Sequence, residues 1–506
     1  MEPFPWWTDE QKKFSQDLHE FANEVMPRSE ESRWKKEFPW DIFEAIGKKG
    51  FAGAMIPKEY GGLGLGATGG CIGVEELSRM PNIGRVYSGN ILGGVGQILA
   101  FGTEEQKKRF IPKIAAGELG AICITEPFAG TDAAAIETVA RRDGDRYIVS
   151  GKKRYIVSAG VASRYMLYAR TSDDPEKKRR YGHLTAFVLE KGMPGFKVEK
   201  INEICGFDGI QNGVLDLDEV PVPVSNRIGE EGKGWQVMME GVNLERTVIA
   251  AMITGWMRSL IETVIPYTQR RVQFDQRTAD MPVNQSKLAD LFIKFKVARL
   301  ACYYNAYLYD LGYDMALEAS SVKAFNCERC VEMARDTIQL MGGDGLTPFY
   351  IPETIYKLAK VEEISSGTME AMRLVTFRSG MKEMSKELTM RRRVVHNEMR
   401  VPITTYEKTD KRPDPTEEDL LKALADDYIV NPGLYMSRSD LTDIFTIDGK
   451  KLDSLLESLE QKKLVKLYRK KGTIELAKAA YDGLKQANPL EEYQWFPWWV
   501  DEKRKF

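Results

Sequence analysis

Apolar residues in the first part of the chain recur at helical spacing between Gly- and Pro-rich turns such as "IPKEYGGLGLGATGG" and "RMPNIGR". That pattern predicts an α-helical region over residues 1–120. From Ala121 the texture changes. "DRYIVSGKKRYIVSAG", "RYMLYAR", "HLTAFVLEK" and "GVLDLDEVPVP" are short runs rich in β-branched and aromatic residues, separated by Gly, Asp and Pro. They predict a small antiparallel β domain over 121–230. Helical periodicity then returns in "GVNLERTVIAAMITGWMRSLIETVIPYTQRR" and "QSKLADLFIKFKVARLACYYNAYLYDLG". Both runs are too long for strands and predict a helical bundle over 231–385.

A Pro-, Asp- and Lys-rich stretch, "EKTDKRPDPTEED", marks a linker over 386–412. Residues 413–506 then read as helix, turn, helix, β-hairpin, helix, the order of a winged-helix domain. The final "EEYQWFPWWVDEKRKF" repeats the FPWW of the opening "PFPWWTDE".

Composition narrows the function. With 506 residues, 43% hydrophobic and 29% charged, the chain can bury several cores as a soluble globular protein. A formal charge of −2 gives no global attraction to nucleic acid or anionic membrane. No apolar run approaches the ~20 residues of a membrane span, and the N-terminus lacks the basic start and apolar core of a secretion signal. Six scattered cysteines point to a reducing, cytoplasmic compartment rather than a disulfide framework. The lone CxxC, Cys327 and Cys330, lies in a helical pattern and reads as two ordinary helix cysteines, so no metal site is expected. Three histidines argue against His-based chemistry.

Three Gly-rich stretches carry the strongest local signals. "TEPFAGTD" follows the strand-like "AICI" and offers hydroxyls and free backbone N–H groups to a polar ring edge or an anion. "QLMGGDG" ends a helix with two glycines, which lets a phosphate approach the backbone. "ISSGTMEAMRL" completes the set. Each alone is weak; their order and spacing are not.

From about Ile56 to Met381 the chain resembles the acyl-CoA dehydrogenases. The matches are "IPKEYGGLGLG", "FGTEEQKKRFIPKIAAGELGAICITEPFAGTD", "GDRYIVSGKKRYIVSAG", "GEEGKGWQVMMEGVNLERTVIA", "RRVQFDQ", "QLMGGDG" and "ISSGTMEAMR". The resemblance implies an α+β fold: an N-terminal helical domain, a middle antiparallel β domain and a C-terminal four-helix bundle, here with the winged-helix-like extension added. It implies FAD, an acyl-CoA substrate oxidised between its α and β carbons with hydride transfer to flavin N5, and electron-transfer flavoprotein as acceptor. Because sites in the family are shared between subunits, it also implies a homodimer or homotetramer.

Carried over by motif, Thr125 is similar to the threonine at the flavin pyrimidine edge, flanked by Ile122 and Ile124. Gly130 and Thr131 match the pyrophosphate side of the same loop. Tyr155 replaces a flavin-covering Trp, and Val157 replaces a Thr whose hydroxyl bonds flavin N5; a plain strand-core role for Tyr155 stays open. Arg271 and Phe274 resemble residues that reach the FAD of a neighbouring subunit. Gln285, Gln339, Gly342, Gly343, Thr368 and Glu370 match further FAD contacts. Asn243, Arg246 and Gly367 fall at acyl-CoA-binding positions, although Arg246 is also an ordinary salt-bridge candidate.

One position departs from the usual pattern. Most of the family has Glu directly before Gly-Thr, where this chain has Ser366. A carboxylate in a dry pocket suits removal of a thioester α-proton, and serine cannot replace it. Glu362 and Glu363 lie nearby in sequence, with no reason to face the substrate. Glu245, in the apolar "GVNLERTVIAA", resembles the base of the isovaleryl-CoA dehydrogenases, and we assign it that role. Ser366 keeps a backbone N–H that can polarise the thioester carbonyl.

Arg85 stands where glutaryl-CoA dehydrogenase holds a distal carboxylate, which points to a dicarboxylic or substituted-succinyl acyl group; an Arg85 that turns outward to bond a helix C-terminus or a nearby acid is the plainer alternative. A branched- or short-chain substrate, or altered chemistry such as a desulfinase or an enoyl-CoA reductase, also stays open. The extension suggests a partner contact rather than DNA reading, because its second helix carries Asp453, Glu457 and Glu460, which repel phosphate.

Overall fold

Local signals start the first helices where the sequence places them. Thr8 with Gln11 and Thr103 with Gln106 form capping boxes, and Pro81 occupies the first turn of a third helix. The computed structural model describes residues 2–384, 412–430, 435–470 and 472–487. The chain divides into two units, Met1–Lys386 and Glu387–Phe506.

The first unit begins with α1 (Asp9–Lys35), α2 (Trp40–Lys48), α3 (Gly66–Leu77), α4 (Pro81–Leu92), α5 (Val95–Phe101) and α6 (Glu104–Ala115). α3 and α4 are buried along nearly their whole length. A sheet follows: β1 (Gly120–Cys123), β2 (Val139–Asp143), β3 (Arg146–Val157), β4 (Arg164–Arg170), β5 (Leu184–Glu190), β6 (Phe196–Ile201), β7 (Asn212–Pro223) and β8 (Arg227–Ile228), with the short α7 (Pro175–Arg179) between β4 and β5. Its order is β6-β7-β3-β2-β4-β5-β8, with β1 beside β4.

The sheet corrects the expected antiparallel domain. β1 and β2 each pair parallel to β4, so the sheet is mixed. Parallel neighbours need crossover connections, and alternation within a strand carries no record of them.

The bundle comprises α8 (Gly234–Arg270), α9 (Pro282–Asp310), α10 (Ala316–Met341), α11 (Pro352–Glu362) and α12 (Met369–Met384), with a small hairpin of β9 (Val272–Gln273) and β10 (Gln276–Arg277) after α8. α8 also corrects the sequence reading. It holds an 18-residue window of mean hydropathy 1.5, apolar enough to cross a membrane, yet 78% of that window is buried inside the fold. It is the central core helix, apolar on all sides because helices surround it. Cys327 and Cys330 are free and buried on α10.

The opening FPWW docks on α9. Phe4 stacks on Trp6 at 4.6 Å, Trp7 meets Tyr303 at 4.8 Å, and the Arg299 guanidinium lies over Phe4 at 4.8 Å. The closing FPWW lies outside the described residues, as does most of the expected linker.

The second unit contains β11 (Arg412–Pro413), α13 (Glu417–Val430), β12 (Met436–Ser437), α14 (Arg438–Ile444), β13 (Phe445–Thr446), α15 (Gly449–Gln461), β14 (Val465–Lys470), β15 (Thr473–Ala479) and α16 (Tyr481–Ala487). Leu420, Leu424, Leu441, Leu456 and Ile474 belong to a core drawn from this unit alone.

Candidate active site

α8 runs through the core, and its apolar flanks carry Glu245 into a buried position, 7% exposed. Burial pushes the Glu245 carboxyl above its ordinary value. The Ser366 hydroxyl, Arg85 and Arg246 only partly offset this, and the charge of Glu362 adds to the rise. The Ser366 hydroxyl donates to Glu245 Oε1. The serine at the expected base position therefore touches the glutamate, joining two segments far apart in sequence.

Glu362 is the residue that sequence reasoning set aside. It is fully buried at the end of α11. Its Oε1 lies 2.8 Å from Arg85 Nε, in contact but out of line for a hydrogen bond, and its Oε2 accepts from the Ser365 hydroxyl. The sequence held a signal: Ile355, Leu358, Ala359 and Glu362 share one buried helical stripe, so a carboxylate stands in an apolar register.

Arg85 is buried at 5% exposure, so it does not turn outward, yet it does meet a nearby acid, Glu362, as its plainer alternative expects. Among the described residues its terminal nitrogens donate no hydrogen bond. Gly89 lies one turn further along α4, and a Cβ there would meet Val157 at 3.8 Å. Arg85 and Val157, expected from the family resemblance to face the flavin, thus border one region.

Arg246 Nη1 donates to Ser320 Oγ at 3.2 Å and lies 3.5 Å from Asn243 Oδ1, while its Nε is buried without a hydrogen-bond partner. Gly367, with φ +95°, takes a left-handed backbone that favours glycine. Ser366 also takes a left-handed φ of +54°. Neither the Ser366 N–H nor the Gly367 N–H donates a hydrogen bond among the described residues, which leaves both for a ligand.

Lys323 is a second residue that sequence reasoning missed. It is completely buried, and its Nζ donates to the carbonyls of Ser365 at 3.0 Å and Gly367 at 2.8 Å. Burial lowers its pKa. Its signal was of the same kind: Ser320, Lys323, Cys327 and Cys330 form the core face of α10.

The residues expected to meet FAD fit a flat aromatic group with a diphosphate. Ile122 and Ile124 are half-buried on one face of β1 and its continuation, while Ala121 and Cys123 are buried on the other. Thr125 follows, and its carbonyl accepts from Arg154 N–H at 2.8 Å. Tyr155 is 49% exposed with φ +60°, and Arg154 lies over its ring at 4.5 Å. It is not a strand-core residue. Thr131 is exposed, and a Cβ on Gly130, Gly342 or Gly343 would meet nothing within 4 Å. Those bare backbones suit a phosphate.

Arg271, Phe274, Gln339 and the two glycines gather at one end of the bundle. There Tyr267 donates to the Met341 carbonyl at 3.0 Å and to Asp344 at 2.6 Å. Phe274 is 90% exposed with φ +55°. Gln285, near the start of α9, Thr368 before α12, and Glu370 in its first turn are exposed or half-exposed.

A buried pair underpins the loop that the resemblance places against the flavin. Lys153 Nζ donates to Glu126 Oε1 at 2.7 Å, to the Tyr168 carbonyl at 2.8 Å and to the Ile124 carbonyl at 3.2 Å. Glu126 also accepts from the N–H groups of Glu137 and Thr138.

Comparison with known proteins identifies the family. Residues 8–118, 121–220 and 232–381 match the acyl-CoA dehydrogenase N-terminal, middle and C-terminal domains. The chain is 34% identical over 371 residues to an acyl-CoA dehydrogenase of Bacillus subtilis (strain 168), covering 73% of this chain and 97% of that one. It is 32% identical over 380 residues to the mitochondrial isovaleryl-CoA dehydrogenase of Oryza sativa subsp. japonica, covering 74% and 92%. The butyryl-CoA dehydrogenase structure from Megasphaera elsdenii superimposes with a TM-score of 0.72 at 29% identity, covering 75% of this chain and all of that one. The chain belongs to the acyl-CoA dehydrogenase family, an oxidoreductase family of FAD flavoproteins.

Proposed function

We propose that this protein dehydrogenates an acyl-CoA between its α and β carbons with Glu245 as the base. The observation that carries the reading is the buried Glu245 with its raised pKa, touched by Ser366 and flanked by Arg85 and Arg246. A desolvated carboxylate is a stronger base than one in water, which the weakly acidic thioester α-proton requires. Glu245 takes the α-proton as the β-hydrogen leaves. When bound, FAD supplies the acceptor for that hydrogen and its two electrons. The free Ser366 N–H stabilises charge developing on the thioester oxygen, and Arg246 with Asn243 holds the CoA portion. We assign electron-transfer flavoprotein as the electron acceptor.

Three cations, Arg85, Arg246 and Lys323, cluster with two carboxylates, Glu245 and Glu362. The excess positive charge and the uncommitted Arg85 nitrogens favour an acyl chain ending in a carboxylate, the dicarboxylic or substituted-succinyl class. A second reading rests on the Arg85–Glu362 contact, which already balances the guanidinium and so accommodates a neutral branched or short chain. Anaerobic bleaching of the flavin by glutaryl-CoA, isovaleryl-CoA and butyryl-CoA separates them. The first requires glutaryl-CoA to react best and Arg85→Met to lose that preference. A flavin bleached by none of the three sinks the dehydrogenase reading.

Ile293, Val297, Leu300, Tyr304, Tyr307 and the C-cap Leu311 are exposed or half-exposed apolar residues at alternating spacings of four and three along α9 and its end. Such a stripe supports a homodimer or homotetramer, in which the bundle end with Arg271 and Phe274 serves a neighbouring subunit. Light scattering of the holoprotein tests this; a monomer overturns it. Six free cysteines suit a cytoplasmic location.

A further inference from the structure

Lys323 is a buried cation beside Ser366 for which the proposed reaction has no task. Its Nζ holds the carbonyls of Ser365 and Gly367, the residues on either side of Ser366. The Ser365 carbonyl and the Ser366 N–H belong to one trans peptide and point in opposite directions. Fixing the carbonyl on the Lys323 side therefore fixes the N–H on the other. The two bonds also hold Ser366 at φ +54°, a region disfavoured for a residue with a Cβ. That turn in turn brings the Ser366 hydroxyl onto Glu245.

We propose that Lys323 is the positioning residue of this site. It aims the Ser366 N–H at the substrate thioester oxygen and keeps the Ser366 side chain on the base. A cationic donor on the carbonyl also polarises the peptide and strengthens its N–H as a donor. The inference rests on the dehydrogenase reading above. The groups around Glu245 are Arg85 on α4, Tyr168 on β4, Arg246 on α8, Lys323 on α10, Glu362 on α11 and Ser366. Of these, only Lys323 bonds the backbone on both sides of Ser366.

The test compares holoenzyme of wild type, Lys323→Met, Lys323→Gln and Ser366→Ala. The probes are butyryl-CoA, isovaleryl-CoA and glutaryl-CoA, each 13C-labelled at the thioester carbonyl. In the Lys323 variants that retain FAD, the bleaching rate per bound flavin is expected to fall on the order of 10²-fold, the cost of a small misplacement. The carbonyl stretch of the bound thioester moves to higher wavenumber as its donor is lost. In Ser366→Ala the N–H remains, so the stretch stays near wild type, while the acid limb of the rate profile moves up in pH because Glu245 has lost a donor. Wild-type rates and an unmoved stretch in flavin-loaded Lys323→Met overturn the proposal. So does loss of FAD from both Lys323 variants, which would make the residue structural only. If no thioester bleaches wild type, the dehydrogenase reading fails instead, and the stretch of the bound thioester still reports on Lys323.

Discussion

Two buried carboxylates sit in the same unit and meet opposite fates. Glu126, in the Thr125–Asp132 loop, is pushed up by burial. Lys153 and the N–H groups of Glu137 and Thr138 outweigh that, so its pKa ends below the ordinary value. Glu245 is pushed up by burial as well, but its Ser366 donor and neighbouring arginines do not outweigh it, and its pKa ends above. The difference lies in partner geometry. Lys153 places all three ammonium donors on acceptors, whereas Arg85 touches Glu362 out of line and its terminal nitrogens donate no hydrogen bond among the described residues. A fully satisfied buried pair is scaffold. An under-satisfied one is poised for chemistry or for a ligand.

The sharpest way to break this comparison is to remove each carboxylate's function in turn. Glu245→Gln is expected to keep FAD and the fold while turnover falls about 10²–10⁴-fold, the usual loss for a missing general base. Glu363→Gln, by contrast, should leave turnover near wild type. Steady-state kinetics normalised to flavin content decide the matter: an active Glu245→Gln with a dead Glu363→Gln reverses the assignment.

Lys153→Met should do the opposite. It strands Glu126 as a buried charge, a change that typically costs about 3–5 kcal/mol. Thermal denaturation should show a lower Tm and easier loss of FAD. Protein that keeps its flavin should still turn over at close to the wild-type rate. A variant with unchanged Tm but impaired chemistry would place Lys153 among the reacting groups.

The sequence disclosed these two sites unequally. Motifs singled out the Thr125–Asp132 loop, Glu245 and the Ser366–Gly367 turn, because each is a local pattern of residue types. It did not disclose that Ser366 touches Glu245, or that Glu362 faces Arg85, since those contacts depend on how α4, α8 and α11 pack. Yet Glu362 and Lys323 both occupy core registers of amphipathic helices, and a charge in an apolar stripe is readable from spacing alone. The parallel pairing of β1 with β4 was not readable, because it is set by connection topology and not by alternation within a strand.

Stability against pH gives a smaller but cleaner contrast. The folded pKa of Glu126 is depressed, so its contribution is present above the ordinary carboxylate value of 4.5 and is lost as pH falls through the folded value. The folded pKa of Glu245 is raised, so its contribution is present below 4.5 and is lost as pH rises through the folded value. Glu245→Gln should therefore gain stability relative to wild type as pH rises from 4 toward 7. Glu126→Gln should lose stability relative to wild type as pH rises toward 4.5 from below, and the difference should then stay constant up to 7. Melting curves at several pH values test this, and parallel Tm profiles for the two variants would mean that the environments do not differ as described.

The smallest effect is expected from removing the second unit. Its core is built from residues such as Leu420, Leu441, Leu456 and Ile474, all within 417–487. The helices and sheet of the first unit draw their buried apolar contacts from residues before 385. Neither core is completed by the other, which is the condition for units that fold separately. A chain stopped after Lys386 should thus stay soluble and yellow. Its Tm, flavin content and rate of flavin bleaching by an acyl-CoA should lie close to those of the full chain. An insoluble or flavin-free product would show that the second unit is needed to build the first. A normal fold with a changed rate would instead give the extension a role in turnover.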